Sequence, residues 1–182
     1  TQAVLALTPR LDDERAEKIA SAFTVGPARR FEQDPRFGLI VLSEVASRAL
    51  SPGINDPGTA IDVIGCGVRV FTPWLQHAAG SIEEKPRPVR HVYVEALDSA
   101  DLFDDFFTPI ARDGASTVEI GIRLQKALKA LAAVGDDHIK RIVREHMTLV
   151  IKRFDQGLVL EEDRQRVREI EASAAPALGP DR

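Results

Sequence analysis

Polar side chains on both sides of a Ser-Pro-Gly-Ile-Asn-Asp-Pro turn, at residues 51–57, are the best candidates for chemistry in this chain. Before the turn, Glu44 and Arg48 are four residues apart and therefore share one face of a helix. After the turn, Asp56, Thr59 and Asp62 recur at three-residue intervals and share a face in the same way. If the helices fold back on each other, Arg48 can reach Asp56 or Asp62, and the cleft could bind a small polar ligand.

The same turn also has a purely structural explanation. Asp56 followed by Pro57 is typical of a helix start, because Asp caps the first turn and Pro fits its first position. Charges on otherwise apolar helices need partners, since an unpaired buried charge is strongly destabilising. The polar residues could therefore satisfy one another and set the register of the hairpin. We favour this interpretation because buried ion pairs are often structural.

A second candidate cluster lies in the loop before the first of these helices. It contains Arg29, Arg30, Gln33, Asp34 and Arg36. Three neighbouring arginines could clamp a carboxylate or a phosphate near a helix N-terminus. Equally, Arg29 or Arg36 could pair with Asp34 and pin the loop.

The predicted ligand-binding candidates are Arg29, Gln33, Asp34, Arg36, Glu44, Arg48, Ser51, Asn55, Asp56, Thr59 and Asp62. No pattern typical of catalysis accompanies them. His138 and His146 are eight residues apart, about two helical turns, which is too far for a shared metal ion. We interpret one acidic run as a solvated helix face: Asp101, Asp104 and Asp105. We therefore predict no catalytic residue, no metal site and no cofactor.

Helical periodicity dominates the chain and predicts the elements that must position these residues. We expect helices at residues 11–23, 37–50, 57–72, 98–110, 116–134, 137–154 and 161–174, with a loop at residues 24–36. Residues 89–94 alternate apolar and polar positions and should form a strand with residues 2–7. The fold class is thus mainly α, a helical bundle-like domain with a central antiparallel helix hairpin and at most a small two-stranded β element.

Three local signals refine this prediction. Pro73 should kink or end its helix near residues 69–72. Gly65 and Gly67 should let another helix approach closely. Ser116 and Glu119 have the spacing of a capping box.

Composition limits the class of protein. The chain has 182 residues, 44% of them hydrophobic and 29% charged, which is ordinary for one globular domain. Its net charge of -4, with Lys and Arg spread along the chain, argues against a nucleic-acid partner. We expect one soluble domain at residues 1–175 and a flexible tail at residues 176–182. The chain starts at Thr1 inside an apolar stretch, which suggests a piece of a longer protein.

Two segments resemble a known bacterial family. Residues 31–38 read Phe-Glu-Gln-Asp-Pro-Arg-Phe-Gly, and residues 48–57 read Arg-Ala-Leu-Ser-Pro-Gly-Ile-Asn-Asp-Pro. Together with Thr59 and Ala60, they resemble the predicted membrane proteins of family DUF2254. The resemblance is strong over residues 11–65 and looser beyond. In this family a Thr usually follows the arginine that Arg29 matches, and here the position is Arg30.

The resemblance implies that this chain is the extramembrane C-terminal part of a protein whose N-terminal helices cross the membrane. It implies a membrane location, with this domain on the cytoplasmic side, and it brings no activity. Our leading hypothesis is a binding, regulatory or assembly domain. The alternative is an enzyme or small-anion sensor that uses Arg29, Arg36, Arg48 and Asp56. A homo-oligomer is also open, and would require an exposed apolar patch formed by Trp74, Phe103, Phe106 or Phe107.

Overall fold

The computed structural model describes residues 4–6, 12–21, 26, 29–31, 34–80, 92–94 and 97–179, and the fold is mainly α. In chain order the elements are β1 (Val4–Ala6), α1 (Asp13–Ser21), α2 (Pro35–Ala49), α3 (Pro57–Gly80), β2 (Val92–Val94), α4 (Ser99–Asp113), α5 (Val118–Val134), α6 (Asp137–Gly157), α7 (Glu161–Ala172) and α8 (Ala175–Leu178). The predicted bundle-like, mainly α fold class is confirmed. The two short strands pair antiparallel, with Val4 opposite Val94, within the segments predicted to pair.

The start of α2 is determined by a local cap. The Oδ1 atom of Asp34 accepts a hydrogen bond from the Phe37 amide at 3.0 Å, and Pro35 occupies the first helical turn. Proline is tolerated there because its missing N–H would have no helical partner. The helix therefore begins two residues before the predicted start at Phe37, and Arg36 belongs to the helix and not to the loop.

The turn after α2 is closed by backbone hydrogen bonds and capped at its end. The Asp56 amide donates to the Ala49 carbonyl at 2.8 Å, and Asn55 takes a φ of 48°, in the left-handed region that Asn tolerates. Asp56 accepts from the Thr59 amide at 3.1 Å and from its hydroxyl at 2.6 Å. The predicted role of Asp56 as a helix cap is confirmed.

Helix α3 continues through Pro73 to Gly80, so of the two predicted effects of Pro73, a kink or an end, the helix end does not occur. Pro73 cannot donate the helical hydrogen bond to the Arg69 carbonyl. Phe71 and Leu75, on either side of Pro73, are only 1% and 2% exposed. Their burial holds this part of the helix against the core despite the missing bond.

Aromatic rings from α3 and α4 form the centre of the core. The Phe71 ring lies 4.7 Å from that of Phe103, 5.9 Å from that of Phe106 and 5.8 Å from that of Phe107, measured between centroids. The three α4 rings are completely buried, and Trp74 is half-buried. These α4 phenylalanines therefore do not form the exposed patch that the homo-oligomer alternative would require of them.

The later helices follow the predicted order with two differences. Thr117 is the N-cap residue of α5 and makes no side-chain cap, so the capping box predicted for Ser116 and Glu119 is wrong. Asp136 caps α6, and its Oδ1 atom accepts a hydrogen bond from the Ile139 amide at 2.9 Å. Residues 176–178, predicted to be a flexible tail, are part of α8, which packs against α5 and α6.

The arrangement of helices gives the two hairpin helices different second neighbours. Helices α2 and α3 pack against each other. In addition, α2 packs against α4, and α3 packs against α5. The face that each hairpin helix turns away from its partner therefore meets a different helix.

Candidate functional site

The polar face of α2 is turned toward α4, whereas the sequence predicted that it would face α3. A groove of about 390 Å³ runs between α2 and α4. Its lining residues are Ile40, Ser43, Glu44, Ser47, Asp104, Asp105, Thr108, Pro109 and Arg112. We call this cleft the α2–α4 groove.

The predicted ion pairs across the hairpin are not formed. Arg48 is exposed, and among the described residues it pairs with neither Glu44 nor Asp56 nor Asp62. These three acidic residues are exposed as well. The Ser51 hydroxyl donates to the Arg48 carbonyl at 2.7 Å and so serves the helix end.

The turn residues are explained by helix initiation. The hydrogen bond from the Thr59 hydroxyl holds the pKa of the Asp56 carboxyl below its usual value. Asn55, in the turn before it, is exposed. These residues shape the corner of the hairpin, and none of them lines the α2–α4 groove.

The arginines before α2 are already occupied by carboxylates. Arg29 Nε donates to Asp34 at 2.7 Å, and the Arg29 guanidinium lies 4.7 Å from the centroid of the Phe37 ring. Partial burial opposes ionisation of Asp34, but the bonds from the Phe37 amide and Arg29 hold its pKa below the usual value. The interpretation in which Arg29 pins the loop agrees with this geometry. Gln33 lies outside the described residues.

Arg36 connects α2 to α4. Its guanidinium bonds Asp105 at 2.5 Å and Asp101 at 2.7 Å, and the bond to Asp105 raises the pKa of Arg36. The prediction that the acidic run on α4 is only a solvated face is therefore wrong, because two of its three carboxylates, Asp101 and Asp105, bind Arg36 of the neighbouring helix. The three arginines consequently do not converge into an anion clamp.

Several polar groups of the α2–α4 groove lack ordinary partners, among them the hydroxyls of Ser43 and Ser47. Ser43 is 2% exposed, and its hydroxyl has no hydrogen-bond partner. On the opposite wall, Pro109 has no N–H to donate to the Asp105 carbonyl one turn earlier. A buried hydroxyl without a partner is destabilising, and such a group in a cleft indicates a missing water or ligand.

The walls of the groove carry more negative than positive charge. The Asp104 carboxylate accepts from the Thr108 hydroxyl at 2.6 Å, and Arg112 is bound by both oxygens of Asp113 at 2.7 and 2.9 Å. Arg112 lowers the pKa of Asp113, and the nearby Ser47 hydroxyl lowers it to a smaller extent. The Ser47 hydroxyl is nevertheless not within hydrogen-bonding geometry of any partner. Exposed Glu44 makes no ion pair within the described part of the chain.

Sequence analysis placed Glu44 in a site but missed Ser43, Thr108 and Arg112. The available signal was the four-residue spacing of Ser43 and Ser47, which puts two hydroxyls on one face of an apolar helix. The residues of the α4 wall gave a weaker signal, because residue spacing along the chain does not show which helix packs against this face of α2.

Other possible sites on the described residues are less complete. A depression of about 400 Å³ lies between α6 and α7, but its Arg168 already pairs with Asp155 and Glu161 at 2.7 Å each. Among the residues that the structure describes, no group of three or more His, Cys, Asp or Glu side chains could hold a metal ion. No helix within those residues is both long and apolar enough to cross a bilayer.

Comparison with known proteins places these elements in a family. A stretch of 40 residues is 52% identical to uncharacterized proteins of Mycobacterium bovis and of two strains of Mycobacterium tuberculosis. That stretch is 22% of this chain and only 8% of each relative. No solved structure matches the chain. The model of the predicted membrane protein family DUF2254 matches residues 1–130, which include α2, α3, α4 and most of α5, and the chain therefore belongs to that family.

Proposed function

We propose that this chain is an extramembrane domain that binds a small molecule and thereby regulates a membrane protein. The observation that carries the proposal is the α2–α4 groove with the unpartnered, 2% exposed hydroxyl of Ser43 at its base. A ligand that reaches this hydroxyl would occupy a cleft whose rim is polar and whose floor is closed by the packed helices α2 and α4.

The charge of the groove favours a compound with a positively charged or hydrogen-bond-donating group. Of the three acidic residues in the lining, Asp105 is paired with Arg36, and Glu44 and Asp104 remain without an ion pair among the described residues. The one basic group of the lining, Arg112, is bound by Asp113. An ammonium or guanidinium group could pair with Glu44, and an acceptor on the same compound could receive a hydrogen bond from the Ser43 hydroxyl. The alternative of a small-anion sensor at Arg29, Arg36 and Arg48 has less support, because the first two arginines already hold carboxylates.

The membrane association of the family supports the location that we propose for the domain. We propose that membrane-crossing helices N-terminal to this domain attach it to the bilayer, and that the domain lies on the cytoplasmic side. A ligand in the α2–α4 groove could then act on those helices through α2, which is held to α4 by the pair of Arg36 with Asp101 and Asp105.

A thermal-shift screen of primary amines, polyamines, amino acids, carboxylates and phosphates tests the proposal. A compound present at a hundred times its Kd should stabilise the fold by about 2.7 kcal/mol, which is a rise in Tm of roughly 5–10 °C for a chain of this length. Ser43→Ala and Glu44→Gln should reduce that rise. Arg48→Ala is the matched control, because it lies one turn further along α2 and does not line the groove.

Two results would count against the ligand-binding role. The first is the absence of any stabilising compound for the wild-type domain. The second is a compound whose effect is the same in Ser43→Ala, Glu44→Gln and the wild type, since that compound would bind elsewhere.

Assembly into a homo-oligomer is a second candidate, favoured by two apolar residues between α6 and α7. Val159 is 88% exposed and Leu160 is 60% exposed. Light scattering on the purified domain, compared with Val159→Ser, measures this directly. A wild-type domain that stays monomeric at the highest soluble concentration would remove this candidate.

A further inference from the structure

Two arginines from different helices converge beside Gly65, away from the α2–α4 groove. The point where a Cβ on Gly65 would lie is 2.9 Å from Nη2 of Arg123 on α5 and 3.7 Å from Nη1 of Arg69 on α3. The absence of a side chain on Gly65 thus leaves room for both guanidiniums at one place on the α3–α5 interface.

Neither arginine is neutralised. Within the described part of the chain, no carboxylate forms an ion pair with Arg69 or Arg123. The nearest acidic residues along the two helices are Asp62 and Glu119, and both are exposed and make no such pair. By contrast, Arg36, Arg112 and Arg168 each hold a carboxylate.

The remaining contacts of the two side chains do not supply the missing charge. Arg69 Nη2 donates to the Cys66 thiol sulfur at 2.9 Å, which orients the guanidinium without balancing it. The Nε atom of Arg123 is fully buried and has no hydrogen-bond partner. Two like charges held this close repel each other, and a buried donor without a partner is destabilising. One oxyanion bound between the two guanidiniums would offset the repulsion between them.

We propose that Arg69 and Arg123 form a binding site for a phosphate-type oxyanion at the α3–α5 interface. Guanidinium groups bind such oxyanions through pairs of parallel N–H···O bonds. Arg69 is exposed, so the anion can enter from solvent, while Arg123 is half-buried and supplies the more enclosed donors. The phosphate group can belong to a free metabolite or to a lipid headgroup, and both sources present the same oxygens.

Calorimetric titration of the intact domain with inorganic phosphate, at constant ionic strength set with sodium chloride, tests the site. Because a hydrogen bond to a charged group contributes about 1.5–3 kcal/mol, Arg69→Gln and Arg123→Gln should each weaken phosphate binding roughly 10- to 100-fold. Arg30→Gln is the matched control: it removes the same charge from an exposed arginine of the loop before α2 and should leave the affinity within about two-fold.

Three further variants make the test decisive. Arg69→Lys keeps the charge but loses the planar fork, so it should bind more weakly than the wild type and more tightly than Arg69→Gln. Ser43→Ala should bind phosphate normally, because it belongs to the separate α2–α4 groove. If Arg123→Gln does not fold, the exposed Arg69 variants still report on the site.

Vesicle binding distinguishes the two sources of the phosphate. Sedimentation with phosphatidylcholine vesicles that contain phosphatidic acid, repeated with Arg69→Gln, shows a lipid headgroup if the wild type alone is retained. Saturable binding of inorganic phosphate without vesicle retention shows a free ligand instead. The site is refuted if phosphate does not bind saturably at millimolar concentrations, or if Arg69→Gln and Arg30→Gln bind it equally well.

Discussion

Alanine substitutions at Gly65 and Gly67 should change the stability of the protein in opposite directions, although the two glycines lie two residues apart on α3. A Cβ on Gly65 would meet Nη2 of Arg123 at 2.9 Å, which is the far end of a flexible side chain. A Cβ on Gly67 would overlap the ring of Phe106, which is completely buried.

The magnitudes follow from propensity and packing. Alanine is favoured over glycine inside a helix by about 1 kcal/mol, and both positions gain this term equally. At Gly65 the guanidinium can swing away, so Gly65→Ala should stabilise by up to about 1 kcal/mol. At Gly67 the Phe106 ring is held by Phe71 and by Phe107, whose centroid lies 5.0 Å away. Overpacking of that kind costs about 3 kcal/mol at the upper end of its usual range, which leaves a net loss of roughly 2 kcal/mol.

Unfolding in guanidinium chloride followed by circular dichroism, together with calorimetric Tm values, measures the difference in stability between the two variants. The two variants should differ by about 3 kcal/mol, or roughly 6–12 °C in Tm for a chain of this size. Equal stabilities would refute the reasoning, because they would mean that Phe106 can move away from α3. A strongly destabilised Gly65→Ala would show instead that the Arg123 guanidinium is rigidly held. Gly65→Ala should also weaken phosphate binding, since it displaces one arm of the proposed site.

Acidification should destabilise the fold through His146, because burial lowers the pKa of its imidazole below the ordinary value of 6.5. The unfolded chain then takes up the proton more readily than the folded chain does. The contribution of neutral His146 to stability is therefore fully present above about pH 6.5 and is lost as the pH falls from there through the folded pKa. Urea midpoints should fall less steeply with pH for His146→Phe, and an unchanged slope would contradict this. Arg36→Gln should cost at most about 1 kcal/mol in urea unfolding, since the 38% exposed guanidinium is screened by solvent, and a loss of several kcal/mol would contradict it. Asp136→Ala should cost about 1 kcal/mol by the same measurement, because it removes the α6 cap. Asp137→Ala is the control: Asp137 is not the capping residue, so this substitution should cost less stability. Equal losses of stability in the two variants would show that the cap is not the cause.

Of two helix starts with the same Asp-Pro signal, one was recognised from the sequence and the other was not. Asp56 and Pro57 were recognised as a start, and the same Asp-Pro pair at positions 34–35 was present in the sequence but was assigned to a loop. The signal was local, since the cap of Asp34 reaches only three residues along the chain. The capping box at residues 116–119 failed because spacing alone does not determine which residue leaves the helical conformation first, and here that residue is Thr117.

The candidate site was predicted only in part. Glu44 was recognised as part of a polar face of α2, and the pairing of Arg29 with Asp34 was recognised as one possibility. The α4 wall, the pairing of Arg36 with α4 and the convergence of Arg69 with Arg123 were not predicted. Each of these contacts joins residues more than fifty positions apart, and no local pattern brings such residues together.

The sequence by itself determined that two apolar helices with narrow polar faces flank the turn at residues 51–57, because helical periodicity and the Asp56-Pro57 cap act within one or two turns. Only the tertiary structure decided what those faces meet. Burial of Phe71 with the three α4 phenylalanines sets how the hairpin sits on the later helices. The polar face of α2 consequently lies along α4, where it forms the groove, and Arg69 of α3 lies beside Arg123 of α5. Both candidate sites are thus products of packing between helices that are distant in sequence.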